Sequence, residues 1–323
     1  MKNNQKKQTD VSIILVNWNC GQVIINCIDS LIKTIKKHSY EVIVVDNASK
    51  DDSIKEIEHK FPKVKLIKNN FNNMFAGANN QGYKVSRGKF IFILNADTIA
   101  TPNAIDKLLD YMKTGKEQAM TCTLLNKDET IQRNMHRGFP NFFRLITGLI
   151  YKRWGILNFL PSVKNYVKID NKFDKDFYIE QAAGAAILLD RKLIQRLGYL
   201  FDEKSFPLFY NDVDLCYRIN KLGIKILCKT NVKIYHIGRF SVKKVNFYNH
   251  WGSYCPSAIK YFKKIKSPLD FLFISFISKA VFSFLYFYSY YLHFIHKIDN
   301  KELSQRKTAI SLIIKEPFNY WKE

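Results

Sequence analysis

The chain has 323 residues, with 51 lysines and arginines against 28 aspartates and glutamates, a formal net charge of +23. At 47% hydrophobic and 15% aromatic residues it can build one large α/β domain or two smaller ones around a substantial core. The cationic surplus favours anionic partners such as acidic lipid headgroups or phosphorylated substrates. Nucleic acid is not expected, because the lysines are spread along the chain and no zinc-finger spacing occurs. Six cysteines without a CxxC pair argue against a thiolate metal cluster and fit a reducing compartment. The start, MKNNQKKQTD, has no apolar stretch of the kind a cleaved signal peptide requires.

Residues 11–16 (VSIILV) form a β-branched apolar run, the mark of a strand buried on both faces. Asn19, Cys20 and Gly21 break it, and Val23, Ile24, Cys27, Ile28 and Leu31 then recur at helical spacing. A second strand at 41–45 closes on Asp46 and Asn47, and a helix capped by Ser49 or Asp51 runs to Phe61. Residues 64–68 give a third strand and 76–83 a short helix entered through Gly77. A fourth strand covers 90–94, and Pro102 suits the start of a helix to Met112. Such alternation predicts a mostly parallel sheet with helices on both faces.

From 126 to 177 the periodicity weakens, and 144–161 (RLITGLIYKRWGILNFLP) reads as an amphipathic or ordinary packed helix, or a loop beside the site. Small residues at 181–189 run into a strand. A helix led by Asp190 and Arg191 ends at Gly198, and another spans 212–220. Short strands follow at 225–227 and 232–236.

Open α/β sheets bind ligands beyond the carboxyl ends of their strands. Asn17, Asp46 and Asp97 fall at such ends and can converge on one crevice, although each aspartate taken alone can also be a cap or turn residue. A carboxylate at Asp97, two residues after Asn95, can hold Mg²⁺ or Mn²⁺ against the phosphates of a leaving group. Asp212 and Asp214 open a helix, where exposed amides favour anions. Residues two apart on a helix point about 200° apart, so both cannot face one cleft. Asp212 takes the role of general base, and Asp214 that of a scaffold paired with Arg218 four residues on. His236 closes a strand and is either a metal ligand or a hydrogen-bonded strand-end histidine.

The segments VSIILVNWN (11–19), VVDNASKDDS (44–53), NNFNNMFAGANNQGY (69–83), FILNADT (92–98), AAGAAILLDRKLIQRLGYLFDE (182–203), FYNDVDLCYRINKLGIKI (209–226) and VKIYHIGRFS (232–241) occur in the order found in family 2 glycosyltransferases. The chain resembles that family, and within it the rhamnosyltransferase-like group of bacterial surface polysaccharide assembly. The resemblance implies a GT-A fold and inverting transfer of a sugar, rhamnose from dTDP-rhamnose being the donor it suggests, to a saccharide or lipid-linked hydroxyl. It implies that Asp46 reads the nucleotide base and that Asn17, Asn47 and Asn79 line the donor pocket. It further implies that Asp97 and His236 approach the metal and diphosphate, with Asn95 in support, and that Asp212 is the base. Asn211 stands where the family usually carries Glu, which removes a like charge and lowers the expected Asp212 pKa.

The expected organisation is a catalytic domain at 1–245 and a helical extension at 246–323. The former divides into a nucleotide-sugar half at 11–125, a variable insertion at 126–177 and an acceptor half at 178–245. Within the extension, 267–297 is the densest apolar run, interrupted by Asp270 and Lys279, so a clean membrane span is not expected. Ser275, Lys279, Ser283, Tyr286, Tyr290, His293 and Lys297 make one narrow polar stripe on a helix. Such a helix lies in an anionic membrane interface, flanked by Lys260, Lys263, Lys264 and Lys266, or packs against its own domain or a second copy. The resulting expectation is a cytoplasmic enzyme peripheral on the inner face of the membrane, with a homodimer as the other use of the helix. The competing reading is a non-catalytic nucleotide-sugar-binding scaffold, motivated by Asn95 and Asn211. A nicotinamide enzyme is set aside, because no GxGxxG follows the first strand.

Overall fold

The structure, a computed structural model, describes residues 9–132, 136–141, 143–144, 173–238, 247–265 and 267–314. Four strands, β1 (Val11–Asn17), β2 (Tyr40–Asp46), β3 (Lys65–Lys68) and β4 (Phe90–Leu94), pair in parallel in the order β3-β2-β1-β4. Helices α1 (Gln22–Thr34), α2 (Ser53–Lys60) and α3 (Met74–Val85) connect them. Helices on both faces explain the unbroken apolar runs. Ile13 and Leu15 share a core with Ile24, Ile28 and Leu31 of α1, while Ile14, of opposite pleat, shares one with Ala76 of α3.

Beyond β4 come β5 (Thr98–Ala100), α4 (Ala104–Lys113), β6 (Ala119–Leu125), β7 (His136–Arg137), β8 (Phe177–Ile179), β9 (Gln181–Ala182) and β10 (Ala186–Asp190). After them stand α5 (Arg191–Leu197), α6 (Asn211–Lys221) and β11 (Ile226–His236). Here the sheet becomes mixed: β10 lies antiparallel between β4 and β6, and β11 runs parallel to β6 while pairing antiparallel with β5 and β8. The main sheet has nine strands among the described residues, and β7 and β9 form a separate pair. The strands expected at 225–227 and 232–236 are one strand, with a register shift between Lys229 and Lys233 where the apolar pattern lapses. The amphipathic segment expected at 144–161 lies, apart from Arg144, outside the described residues.

The C-terminal helices are α7 (Phe247–Lys264), α8 (Pro268–Phe294) and α9 (Asn300–Ile314). Ala258, Ile259, Tyr261 and Phe262 of α7 form one core with Phe206 in the segment before α6, Tyr210 and Val213 at its start, and Phe271 of α8. Helix α8 turns Phe271 and Phe282 inward together with Ser275, Ser278 and Ser289, yet leaves Leu269, Phe276, Phe284, Phe287 and Phe294 67–81% exposed, an unusual apolar surface for a helix in water. By length and composition α8, at 27 residues, is apolar enough to cross a membrane despite Asp270 and Lys279.

Candidate active site

The candidate site grows from two adjacent strand ends. Asn17 and Asp46 are the last residues of β1 and β2 and stand opposite one another in register. Asn17 Nδ2 donates to Asp46 Oδ1 and to Ser53 Oγ, both at 2.8 Å, and Ser49 N donates to Asp46 Oδ2 at 3.1 Å. Asp51 Oδ2 accepts from the amide of Gly21, whose φ of 49° suits a residue without a side chain. Asn47 is committed to the chain itself: its Nδ2 donates to Met74 O at 3.0 Å and its Oδ1 accepts from Asn73 N at 3.2 Å, fixing the entry to α3. Asn79 is 1% exposed, its Nδ2 bonds Phe75 O, and its Oδ1 has no hydrogen-bond partner among the described residues.

Strand β4 stops at Leu94, so Asp97 sits in the turn into β5 rather than on a strand end. That turn meets the end of β11, where Thr98 pairs with His236 and Ile237 N donates to Asp97 O at 2.9 Å. His236 Nε2 thereby lies 3.3 Å from Asp97 Oδ1 and 3.3 Å from Asn95 Nδ2. Gln132, which the sequence did not single out, sets the tautomer. Its Nε2 donates to His236 O at 2.6 Å and to Asn126 Oδ1 at 2.8 Å, so its Oε1 is the atom 2.9 Å from His236 Nδ1. Nδ1 then carries the proton, and in the neutral ring Nε2 presents a lone pair beside the Asp97 carboxylate.

This donor set fits a divalent cation shared with a substrate. One carboxylate oxygen and one oriented imidazole nitrogen are suited to a metal whose remaining ligands are phosphate oxygens and water. Among the described residues no group of three or more His, Cys, Asp or Glu forms a cage by itself. The cysteines offer none either: all six are buried, and burial pushes Cys27 and Cys122 up to about 12.

Asp212 lies in the first turn of α6, with Oδ2 accepting from Gly184 N at 3.1 Å and Oδ1 from Val213 N at 2.9 Å. Burial pushes its carboxyl above the ordinary range, against the opposing pull of the Gly184 amide, the Arg137 charge and the Val213 amide. The lowering expected from Asn211 is therefore outweighed by burial, and Asn211 itself donates to Leu208 O at 2.8 Å. Asp214, 1% exposed, pairs with Arg218 at 2.8 Å on the other side of the helix. Arg137 and Gly184 were not legible as site residues, since neither belongs to a local pattern that marks a contact with α6.

Consecutive residues join the two carboxylate regions: Gly184 N holds Asp212, and Ala185 O accepts from Asn95 N at 2.9 Å. The ends of β1 and β2, the Asp97–His236 pair and Asp212 thus lie along one edge of the sheet.

A mixed sheet with this parallel half, its flanking helices and a C-terminal helical extension is a GT-A-type α/β fold. The same architecture occurs in the crystal structure of GalNAc-T7 with UDP, GalNAc and Mn²⁺, with a TM-score of 0.57 and 17% identity, over 81% of this chain and 48% of that one. The Glycosyl transferase family 2 model matches residues 12–175, and the chain belongs to that family. Among curated relatives, the chain is 24% identical over 230 residues to the low-salt glycan biosynthesis hexosyltransferase Agl10 of Haloferax volcanii, covering 70% of this chain and 66% of the relative. It is 32% identical over 107 residues to the UDP-Glc:alpha-D-GlcNAc-diphosphoundecaprenol beta-1,3-glucosyltransferase WfaP of Escherichia coli, covering 33% of this chain and 42% of that protein. The chain thus spans less than two thirds of the length of either relative.

Proposed function

We propose that the protein transfers a sugar, with inversion, from a nucleotide diphosphate to a hydroxyl of a saccharide or lipid-linked saccharide. The observation that carries this reading is the junction at Gly184 and Ala185, which ties the Asp212 helix to the Asn95–Asp97 turn and so supports a base acting close to a diphosphate. Asn17, Asp46 and Asn79 face the nucleotide in this reading, with Asn47 holding the loop that frames it. Asp97 and His236 would hold Mg²⁺ or Mn²⁺, which when bound neutralises charge building on the leaving diphosphate. Asp212 takes the proton of the acceptor hydroxyl as that oxygen attacks the anomeric carbon, and the sugar–phosphate bond breaks on the opposite face. Rhamnose from dTDP-rhamnose is the donor the sequence segments favour, while the names of the relatives bring hexoses into the same panel.

In this reading the enzyme works peripherally on the cytoplasmic side of a membrane, with the exposed phenylalanines of α8 in an anionic interface. The exposed phenylalanines of α8 and the net charge of +23 support this reading, and a second copy of the chain is the alternative cover for that face.

The test is transfer from dTDP-rhamnose, UDP-glucose and UDP-GalNAc to a lipid-linked glycan fraction with Mg²⁺ or Mn²⁺, repeated with Asp212→Asn. The variant is expected to lose transfer by about 10²- to 10⁴-fold while still binding donor. Transfer at the unaltered rate rejects Asp212 as the base, and nucleotide binding without transfer from any donor favours a scaffold.

A further inference from the structure

We propose that Lys264, the last residue of α7, is a positioning residue for Asp212. The inference rests on the reading of Asp212 as the base, and concerns what fixes its helix. Asp212 turns toward Gly184, whereas Asp214, about 200° further round the helix, faces the C-terminal helices.

Arg218 gives Nε to Asp214 Oδ2 and its two terminal nitrogens to Tyr199 O and Leu200 O, at 3.0 and 2.6 Å. The other oxygen, Asp214 Oδ1, lies 2.6 Å from Lys264 Nζ. The same ammonium reaches Asp202 Oδ2 at 3.0 Å and stands over the Phe206 ring, 5.3 Å from its centroid. Two carboxylates and two cations therefore balance beneath α6, and one of the cations belongs to the C-terminal extension. Burial alone would lower the Lys264 pKa, but Asp214 and Asp202 raise it, so the ammonium stays charged. Without it, one oxygen of a carboxylate that is 1% exposed would lose its cation, a costly state in a protein interior.

The entry to α6 shows why this contact sets position as well as stability. Tyr210, immediately before the helix, has φ 64°, a left-handed conformation that a bulky side chain does not choose unaided. Its ring is held by Tyr254 and Tyr261 of α7, at centroid distances of 5.3 and 5.4 Å. Asp212 thus sits between two points, Tyr210 and Asp214, that α7 fixes.

The experiment uses the full chain carrying Lys264→Met, Lys264→Gln or Lys264→Arg, with transfer kinetics and amide hydrogen exchange on each. Lys264→Met and Lys264→Gln are expected to lower kcat by roughly 10- to 100-fold with the donor KM unchanged, the cost of a base held slightly out of place. Lys264→Arg restores the rate, because a guanidinium can reach both aspartates. Amides of 211–215 exchange faster in the Met and Gln variants, while those of β1 and β4 do not. Wild-type exchange across 211–215 in the Met and Gln variants overturns the inference, as does a loss that Lys264→Arg fails to restore. Faster exchange throughout the chain also overturns it, because Lys264 then acts only on stability. If Asp212→Asn transfers at the wild-type rate, the base assignment falls, whereas wild-type exchange in the Lys264 variants removes the present inference alone.

Discussion

His236 Nε2 and Asp97 Oδ1 face each other at 3.3 Å, although 139 positions of chain separate them, from 97 to 236. The pairing of β5 with β11 brings them together, and Gln132 decides which imidazole nitrogen meets the carboxylate. Two electron-rich atoms held this close in a structured turn are suited to a cation between them.

Replacing Gln132 with Leu should therefore weaken divalent metal binding by about 10- to 100-fold, as outer-shell partners of a ligating histidine commonly do. Titration of Mn²⁺ in the presence of a nucleoside diphosphate measures it. An affinity equal to that of the unaltered chain would show that the tautomer of His236 is irrelevant to the site.

The raised pKa of Asp212 fixes the sign of a pH effect. A base must be ionised, so transfer should fail as pH drops through a value above the ordinary aspartate pKa of about 3.9. The acid limb of a kcat/KM profile reads this directly. A limb at or below the ordinary value, or one that survives in Asp212→Asn, assigns it to another group.

Helix α3 approaches β1 so closely that a methyl group on Gly82 would stand 2.5 Å from Ile14 Cγ2. Gly82→Ala should destabilise the chain by about 1–3 kcal/mol through overpacking. Urea unfolding checks this, and Ile14→Ala in the same chain should recover part of the loss, giving a non-additive pair. Simple additivity would place the strain elsewhere.

On α8, the triple replacement Phe276→Ser, Phe284→Ser and Phe287→Ser removes apolar surface without touching a buried residue. Sedimentation with vesicles containing anionic lipid should fall sharply while the unfolding midpoint changes little. Unaltered vesicle binding, or a change in molecular mass in place of it, points to a second copy of the chain as the cover.

The parallel half of the sheet was legible because β1, β2 and β4 are apolar without alternation, and only strands buried on both faces read that way. Asp46, Asp97 and Asp212 were legible as carboxylates at element boundaries. The three-residue strand β5, the antiparallel insertion of β10 and the single span of β11 were not, because each depends on pairing across long sequence distances. Gln132 and Gly184 stayed hidden for the same reason, since their roles come from partners 104 and 28 positions away. On α8 the polar stripe was visible, but which side turns inward is a tertiary fact. Ser275, Ser278 and Ser289 turn inward there beside Phe271 and Phe282, while most of the other bulky residues stay outward.

The core shared by α6, α7 and α8 carries a practical consequence for dissecting the molecule. A shortened chain ending at 245 would strip Phe206, Tyr210 and Val213 of their apolar cover and Asp214 of its second cation. Loss of activity in such a fragment would not identify the membrane as the cause, because the same cut unseats the helix that bears Asp212. Surface replacements on the outward face of α8 separate the two effects, and a deletion cannot.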